Sequence, residues 1–425
     1  MNYVPTTKKD EKIMLERVGV KSVEELVDSF RPMISNERLD LPPALTEMQL
    51  MQHMRNISKG NKIMRYFVGA GSYNHYIPSA LNHLVMRGEF LTGYTPYQAE
   101  INQGTLQAMY EFQSFICLLT GMDVSNASLY DGASALAEAA LMSASYTGRK
   151  QISGGNNIHP QYFEVLKTYC EAADLEISMN QVTQETACIL TQNPDFYGNV
   201  ENLSYISERA HKVGALSVTC VVEPTSLAII DTPGNYGADI VVGEGQSFGI
   251  PLNFGGPYLG FLAVRSYLLK KIPGRICGMT NDSVGNRGFV LTLQAREQHI
   301  RRERATSNIT TNVALNALAA TVYLALMGRS GLIRVAEASY RNAHLLQSKL
   351  SALGFQTLNN LPFYNEFLVK TPKSSKKILT DLARQGICGG LEVGDDRLLI
   401  CCTEMNTSQD IDDFVSAVAE KEQTA

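Results

Sequence analysis

Between about residues 100 and 265 the hydrophobic period alternates between that of a helix and that of a strand, and this alternation limits the possible folds more than any other feature. Leu106, Met109, Gln113, Ile116 and Leu119 form one helical stripe that stops at Gly121, a residue suited to closing a helix. Asp131-Gly132 then opens a helix over 133–146, and a strand follows at 187–190. A helix at 200–213 runs to Gly214, and β-branched strands follow at 216–222 and 238–242. The rhythm predicts an α/β fold, a mostly parallel sheet covered by helices in a large domain. Two long helices are expected over 312–327 and 331–353, followed by an amphipathic helix at 374–385, a strand at 398–402 and a closing helix at 410–419. These have the size of a smaller C-terminal α/β domain. Residues 1–60 read as polar and helical. Ser22 with Glu25 and Thr46 with Gln49 have capping-box spacing. Such a segment is too thin to bury a core and is expected to lie against another body. The expected organisation is an N-terminal helical arm at 1–75, the large domain at 76–311 and the small domain at 312–425.

Composition removes several function classes. Lys plus Arg number 37 against 42 Asp plus Glu, so there is no basic excess to attract a nucleic-acid backbone. The eight Cys show no CxxC spacing, and the adjacent Cys401-Cys402 has apolar neighbours, which indicates neither zinc nor a disulfide framework. Lys8, Lys9, Asp10, Glu11 and Lys12 stand where a secretory signal needs an apolar run. The mostly apolar stretch 313–327 is shorter than the ~20 residues of a membrane span. The chain is expected to be cytoplasmic, with reduced thiols.

The sharpest local anomaly lies at 231–260, where eight of thirty residues are Gly, against 33 in all 425. The expected strand ending at Val242 runs directly into Gly243-Glu244-Gly245-Gln246, and such glycines let backbone turn tightly against a ligand or another chain. Gly243, Gly245 and Gly249 miss the dinucleotide spacing GxGxxG by one, and 250–257 cannot form the helix that this fingerprint requires. Without other information, the segment reads as a loop-rich crossing between strands.

Several long motifs, in order, carry a resemblance. They are Gly93-Tyr94-Thr95-Pro96-Tyr97-Gln98-Ala99-Glu100-Ile101, Leu119-Thr120-Gly121-Met122, Asn126-Ala127-Ser128-Leu129, Gly237-Ala238-Asp239-Ile240-Val241-Val242-Gly243 and Phe254-Gly255-Gly256-Pro257. Pro273-Gly274-Arg275, Gln294-Ala295-Arg296-Glu297-Gln298-His299-Ile300-Arg301-Arg302 and Ala305-Thr306-Ser307-Asn308 complete the series. Together they resemble the P-protein of the glycine cleavage system, a glycine dehydrogenase (decarboxylating). The resemblance implies fold type I of pyridoxal-phosphate (PLP) enzymes, with a seven-stranded, mostly parallel sheet. The length matches one half of the fused form, which implies the α chain of a split α2β2 complex. In that reaction PLP on the other subunit takes glycine, CO2 leaves, and the aminomethyl group passes to the lipoyl arm of H-protein. The implied partners are therefore the PLP-bearing subunit 2, lipoylated H-protein and glycine.

PLP chemistry needs a lysine amine to hold the cofactor as an imine. The cofactor-bearing half of the family has a His-Lys pair at a fixed distance before Gly-Gly-Pro, and the same distance here lands on Gly245-Gln246. An amide nitrogen, its lone pair delocalised, cannot form that imine, and the nearest lysines, Lys270 and Lys271, lie beyond the next expected strand. The resemblance thus implies no catalytic residue in this chain and no covalent PLP; from the cysteine spacing, no metal is expected either. By position Glu223 is the candidate partner of a pyridine nitrogen, with a strand-end carboxylate facing solvent or a neighbouring loop as the alternative. Asp131 stands where the active half cradles phosphate; it would repel one, and reads as a helix N-cap.

Tyr94, Tyr97, Gln98 and Glu100 surround one proline before a helix. They are candidates for shaping the partner's pocket or the α–β contact; the alternative is an aromatic loop packed in the chain's own core. His75, after the glycine turn at 69–71, could reach a ligand or be a satisfied structural histidine. Arg296, Arg301, Arg302 and Arg304, interleaved with Glu297 and Glu303, suit either an ion-paired helix face or docking of an acidic carrier such as H-protein. Three functional readings follow: an enzyme subunit that completes the active site of a lysine-bearing partner, a structural or regulatory pseudoenzyme, and a self-sufficient PLP enzyme. The third conflicts with Gln246.

Overall fold

The structure is a computed structural model describing residues 5–33, 40–155, 157–394 and 396–419. The outer ends of the expected arm and small domain, 1–4 and 420–425, lie outside the described residues. The chain divides into two compact units, Met1–Lys62 and Ile63–Ala425.

In the first unit, helices Lys8–Val18 and Glu47–Ser58 are each opened by a capping box, Thr7 with Asp10 and Thr46 with Gln49. The box expected at Ser22 does not form. Glu25 accepts the backbone N–H of Lys21 at 2.8 Å instead, and only a four-residue turn, Val23–Leu26, follows. No described residue in this unit's helices is buried, as expected of a segment too thin for its own core.

The second unit begins earlier than the arm's expected end at 75. Arg65–Tyr66 pairs in parallel with Ile387–Cys388, and Phe67 is fully buried among C-terminal side chains, so 63–75 fold with the unit's body. Its longer helices are α1 (Gln103–Thr120), α2 (Gly132–Thr147), α3 (Pro160–Ala172), α4 (Leu203–Lys212), α5 (Ala314–Ala352), α6 (Ser375–Arg384) and α7 (Ser408–Ala419). The main sheet contains β1 (Val124–Ser125), β2 (Gln151–Gly154), β3 (Glu176–Met179), β4 (Thr186–Gln192), β5 (Leu216–Val221), β6 (Ile240–Glu244) and β7 (Gly260–Val264), in the order β1-β7-β6-β5-β4-β2-β3. Strands β2 to β6 are parallel; β7 is antiparallel to β6, and β1 to β7.

Every residue of β5, β6 and β7 is buried, because helices cover both faces of the sheet. Ile240 and Val242 join the core under α2 and α3, while Val241 and Phe261 join the core on the other face with α1 and α5. The stripe on α1 stops at Gly121 (φ +69°) as expected. Helix α4 starts at Leu203 rather than 200, with the Asn202 side chain accepting the Tyr205 N–H.

The two helices expected at 312–353 form one run, α5, broken at Gly328 by φ 56°, ψ −178°. This helix is long and apolar enough to cross a membrane by length and composition, but nearly half of its most apolar window is buried in the protein. Its arm before the break rises about 21 Å at 1.5 Å per residue, short of the ~30 Å of a bilayer core. A four-stranded antiparallel sheet closes the unit: β10 (Gln356–Thr357), β11 (Glu366–Lys370), β12 (Leu391–Glu392) and β13 (Arg397–Cys401), in the order β10-β11-β13-β12. The hairpin β8 (Ile276–Asn281) and β9 (Arg287–Thr292) precedes α5.

Candidate functional site

In an open parallel sheet, groups that do chemistry gather beyond the carboxyl ends of the strands. Here Glu223 follows β5 by two residues and Gln246 follows β6 by two, side by side because β5 and β6 pair. The turn at 69–75 and the segment at 364–404 bring further side chains over these ends.

His75 forms the first group. Its Nδ1 lies 2.7 Å from a Glu404 oxygen and its Nε2 3.3 Å from a Glu223 oxygen. Burial opposes charge on the imidazole, but the two carboxylates outweigh it and raise its pKa to about 10. Both ring nitrogens then donate. His75 is thus a satisfied histidine, and it also lines, with Gln246, Tyr73 and Phe254, a pocket of about 260 Å³. The solvent-facing alternative for Glu223 is corrected. The residue is 2% exposed, and it accepts from the Ser247 hydroxyl at 2.6 Å, the Thr225 N–H at 3.0 Å and the Thr225 hydroxyl. Glu223 thereby caps the 3₁₀ turn Pro224–Ala228, its carboxylate taking the Thr225 N–H while its backbone carbonyl accepts the Ser226 N–H.

Gln246 is the second centre, 2% exposed. Its amide oxygen accepts the Tyr73 N–H at 2.8 Å, and its nitrogen donates to the carbonyls of Tyr73 at 3.0 Å and Ile250 at 2.7 Å. The turn it holds passes through Ala70 (φ +52°) and Gly71 (φ +98°), and a Cβ on Gly71 would lie 2.7 Å from the His159 ring. Glycine is required there on both counts. Tyr73 donates its hydroxyl to Glu366 at 3.1 Å, while the Ala70 N–H donates to the same carboxylate at 2.7 Å. Burial pushes Glu366 up to about 8.

The third group joins α2 to the end of β6. Strand alternation turns Glu244 to the α2 side, the face of Ile240 and Val242. Its carboxylate accepts the N–H groups of Gly132 at 3.0 Å, Gln246 at 3.1 Å and Leu259 at 2.7 Å. Burial pushes it up to about 7, against the pull of those donors. Asp131 is the expected N-cap, accepting the Ser134 N–H at 2.7 Å.

The loop of Tyr94, Tyr97, Gln98 and Glu100 belongs to a different neighbourhood. It is exposed rather than packed in the core, which corrects that alternative; Tyr94 is 88% and Tyr97 53% exposed. The Tyr97 hydroxyl accepts from Arg275 at 3.3 Å, and its ring lies 6.0 Å from that of His299. Three separate sequence motifs therefore meet at Tyr97. The expected ion-paired arginine face does not form, since 294–304 fold as three short turns. Arg296 donates to the carbonyls of Ile272 and Gly274, and only Arg304 reaches Glu303, at 3.9 Å. Arg301, Arg302 and Arg304 are exposed.

Sequence reading named neither Glu244, Glu366 nor Glu404 as site residues. Glu244 carried a usable signal, an acid ending an otherwise apolar strand that must be buried. Glu366 and Glu404 carried none, since only the docking of the second sheet brings them here.

The family model for "Glycine cleavage system P-protein" matches residues 1–418. A relative from Thermomicrobium roseum, described as probable glycine dehydrogenase (decarboxylating) subunit 1, is 47% identical over 99% of each chain; one of the same description from Moorella thermoacetica is 46% identical over 98% of this chain and 99% of its own. A crystal structure of glycine decarboxylase (P-protein) of the glycine cleavage system, in inhibitor-bound form, matches with TM-score 0.91 at 40% identity, over 99% of this chain and 100% of that one. The likeness to a sphingosine-1-phosphate lyase of Burkholderia pseudomallei, TM-score 0.64 at 13% identity over 93% and 94% of the two chains, bears on fold alone. The fold is fold type I of PLP-dependent enzymes, and the chain belongs to the glycine cleavage system P-protein family.

Proposed function

We propose that this chain is the α subunit of a split glycine decarboxylase and that its partner, subunit 2, carries the PLP-binding lysine. The complex would decarboxylate glycine, release CO2 and pass the aminomethyl group to the lipoyl arm of H-protein. The observation that carries this reading is Gln246. It stands just beyond β6, where the family's active half has lysine, and its amide is committed to three backbone partners. An amide forms no imine with an aldehyde. The cleft of this chain does not fit PLP in other respects: His75 is already bound to two carboxylates, and a carboxylate rests on the first N–H of α2, where a phosphate would need a donor.

The contribution of this chain would come instead from its exposed loop. Tyr94, Gln98 and Glu100 are open to a partner, while Tyr97 is held by Arg275. The complex reconstituted with Tyr97→Phe or Gln98→Ala is expected to lose about tenfold or more in glycine decarboxylation with its assembly unchanged. Full turnover in both variants would reduce the chain to a structural subunit. Arg301 and Arg302 remain candidates for docking the acidic H-protein.

A further inference from the structure

We infer that Glu244 is a tethered anion, a side chain of the protein itself seated where this fold would receive a phosphate, and that it closes the cleft to phosphate-bearing ligands. The inference deepens the reading that this chain holds no PLP.

An α-helix offers free N–H groups and a positive dipole end at its first turn, and an anion at that position is stabilised. In α2, a 16-residue helix, two of these donors are already taken by the chain's own carboxylates, Gly132 by Glu244 and Ser134 by Asp131. Glu244 is 1% exposed and spends its second oxygen on the N–H groups of Gln246 and Leu259. Its carboxylate therefore gathers donors from three separate segments, as a bound oxyanion would. Space is equally committed. A Cβ on Gly132 would lie 2.5 Å from the Tyr162 hydroxyl and 3.1 Å from the Glu244 Cβ. A phosphate brought to this helix end would meet two carboxylates where it needs donors, in an interior that screens charge poorly.

Glu244 also holds the cleft together. Without the Glu244 carboxyl, three buried N–H groups would be left unpaired, a costly state. The same carboxylate links α2, the end of β6 and the start of β7, and its Gln246 contact leads on to the 69–75 turn.

The test uses the full chain and inorganic phosphate, with sodium chloride at matched ionic strength as control. Wild-type protein should show no saturable phosphate-dependent shift in its thermal unfolding midpoint. Glu244→Ala should unfold at a lower temperature, and phosphate should raise its midpoint saturably back towards wild type. Glu244→Asp keeps the charge and should remain indifferent to phosphate. A folded Glu244→Ala variant that ignores phosphate would overturn the inference, and so would a saturable shift in wild type. If Glu244→Ala does not fold, phosphorus NMR of wild type with one equivalent of phosphate decides: a free-ligand signal supports the tethered anion, a bound one overturns it. A borohydride-reducible PLP adduct on wild type is a different result, which would defeat the proposed function itself.

Discussion

Among the buried carboxyls of the second unit, Glu138, Glu244 and Glu366 have no cation at hand. Burial raises them to about 7, 7 and 8, and hydrogen-bond donors only partly oppose it. A carboxyl whose folded pKa lies above its unfolded value near 4.5 contributes stability that is complete below that value and fades as pH rises through the folded one. His75 acts with the same sign over a higher window, from about 6.5 to about 10. Glu404, lowered by its contact with His75 despite burial, acts oppositely, losing its contribution in acid. Stability should therefore decline from pH 5 towards pH 8, because each of these carboxyls must ionise against burial in the folded chain and His75 begins to lose its advantage above about 6.5. Urea unfolding from pH 5 to 8.5 measures this, and Glu366→Gln should flatten the decline. Stability that is level or rising over that range would contradict the assignment.

Helix α2 shows how one element is fixed by its ends. Gly132 opens it with no room for a Cβ, whereas Gly148 closes it at φ +72° with open space around it. Gly132→Ala should cost about 1–3 kcal/mol by overpacking, and Gly148→Ala about 1–2 kcal/mol by left-handed strain. The two losses have different causes, so Tyr162→Phe should recover part of the first and none of the second in chemical denaturation. Equal behaviour of both double variants would show that the Tyr162 contact does not govern the helix end. The helix itself, its Asp131 cap and most of the buried strands were legible in the sequence, because period and cap chemistry are local. The bend at Gly328 was anticipated as a gap between two helices, for the same reason. The capping box at Ser22 and the arginine face failed because spacing alone does not establish that a regular helix exists to carry it.

Across the whole second unit, the cleft is assembled from segments about 330 residues apart in sequence, such as His75 and Glu404. No periodicity reports such a meeting, so Gln246, Glu223 and His75 could be named from the sequence but their partners could not. The same geometry gives the cleft its character. An amide, a paired histidine and a carboxylate on a helix end fill it with satisfied groups rather than reactive ones. We propose that the reactive amine lies on another chain, and that division of labour can be tested. Release of labelled CO2 from carboxyl-labelled glycine, with lipoylated H-protein present, tests it most directly. Turnover is expected only when this chain and the lysine-bearing subunit are combined with PLP; turnover by this chain alone would contradict the account.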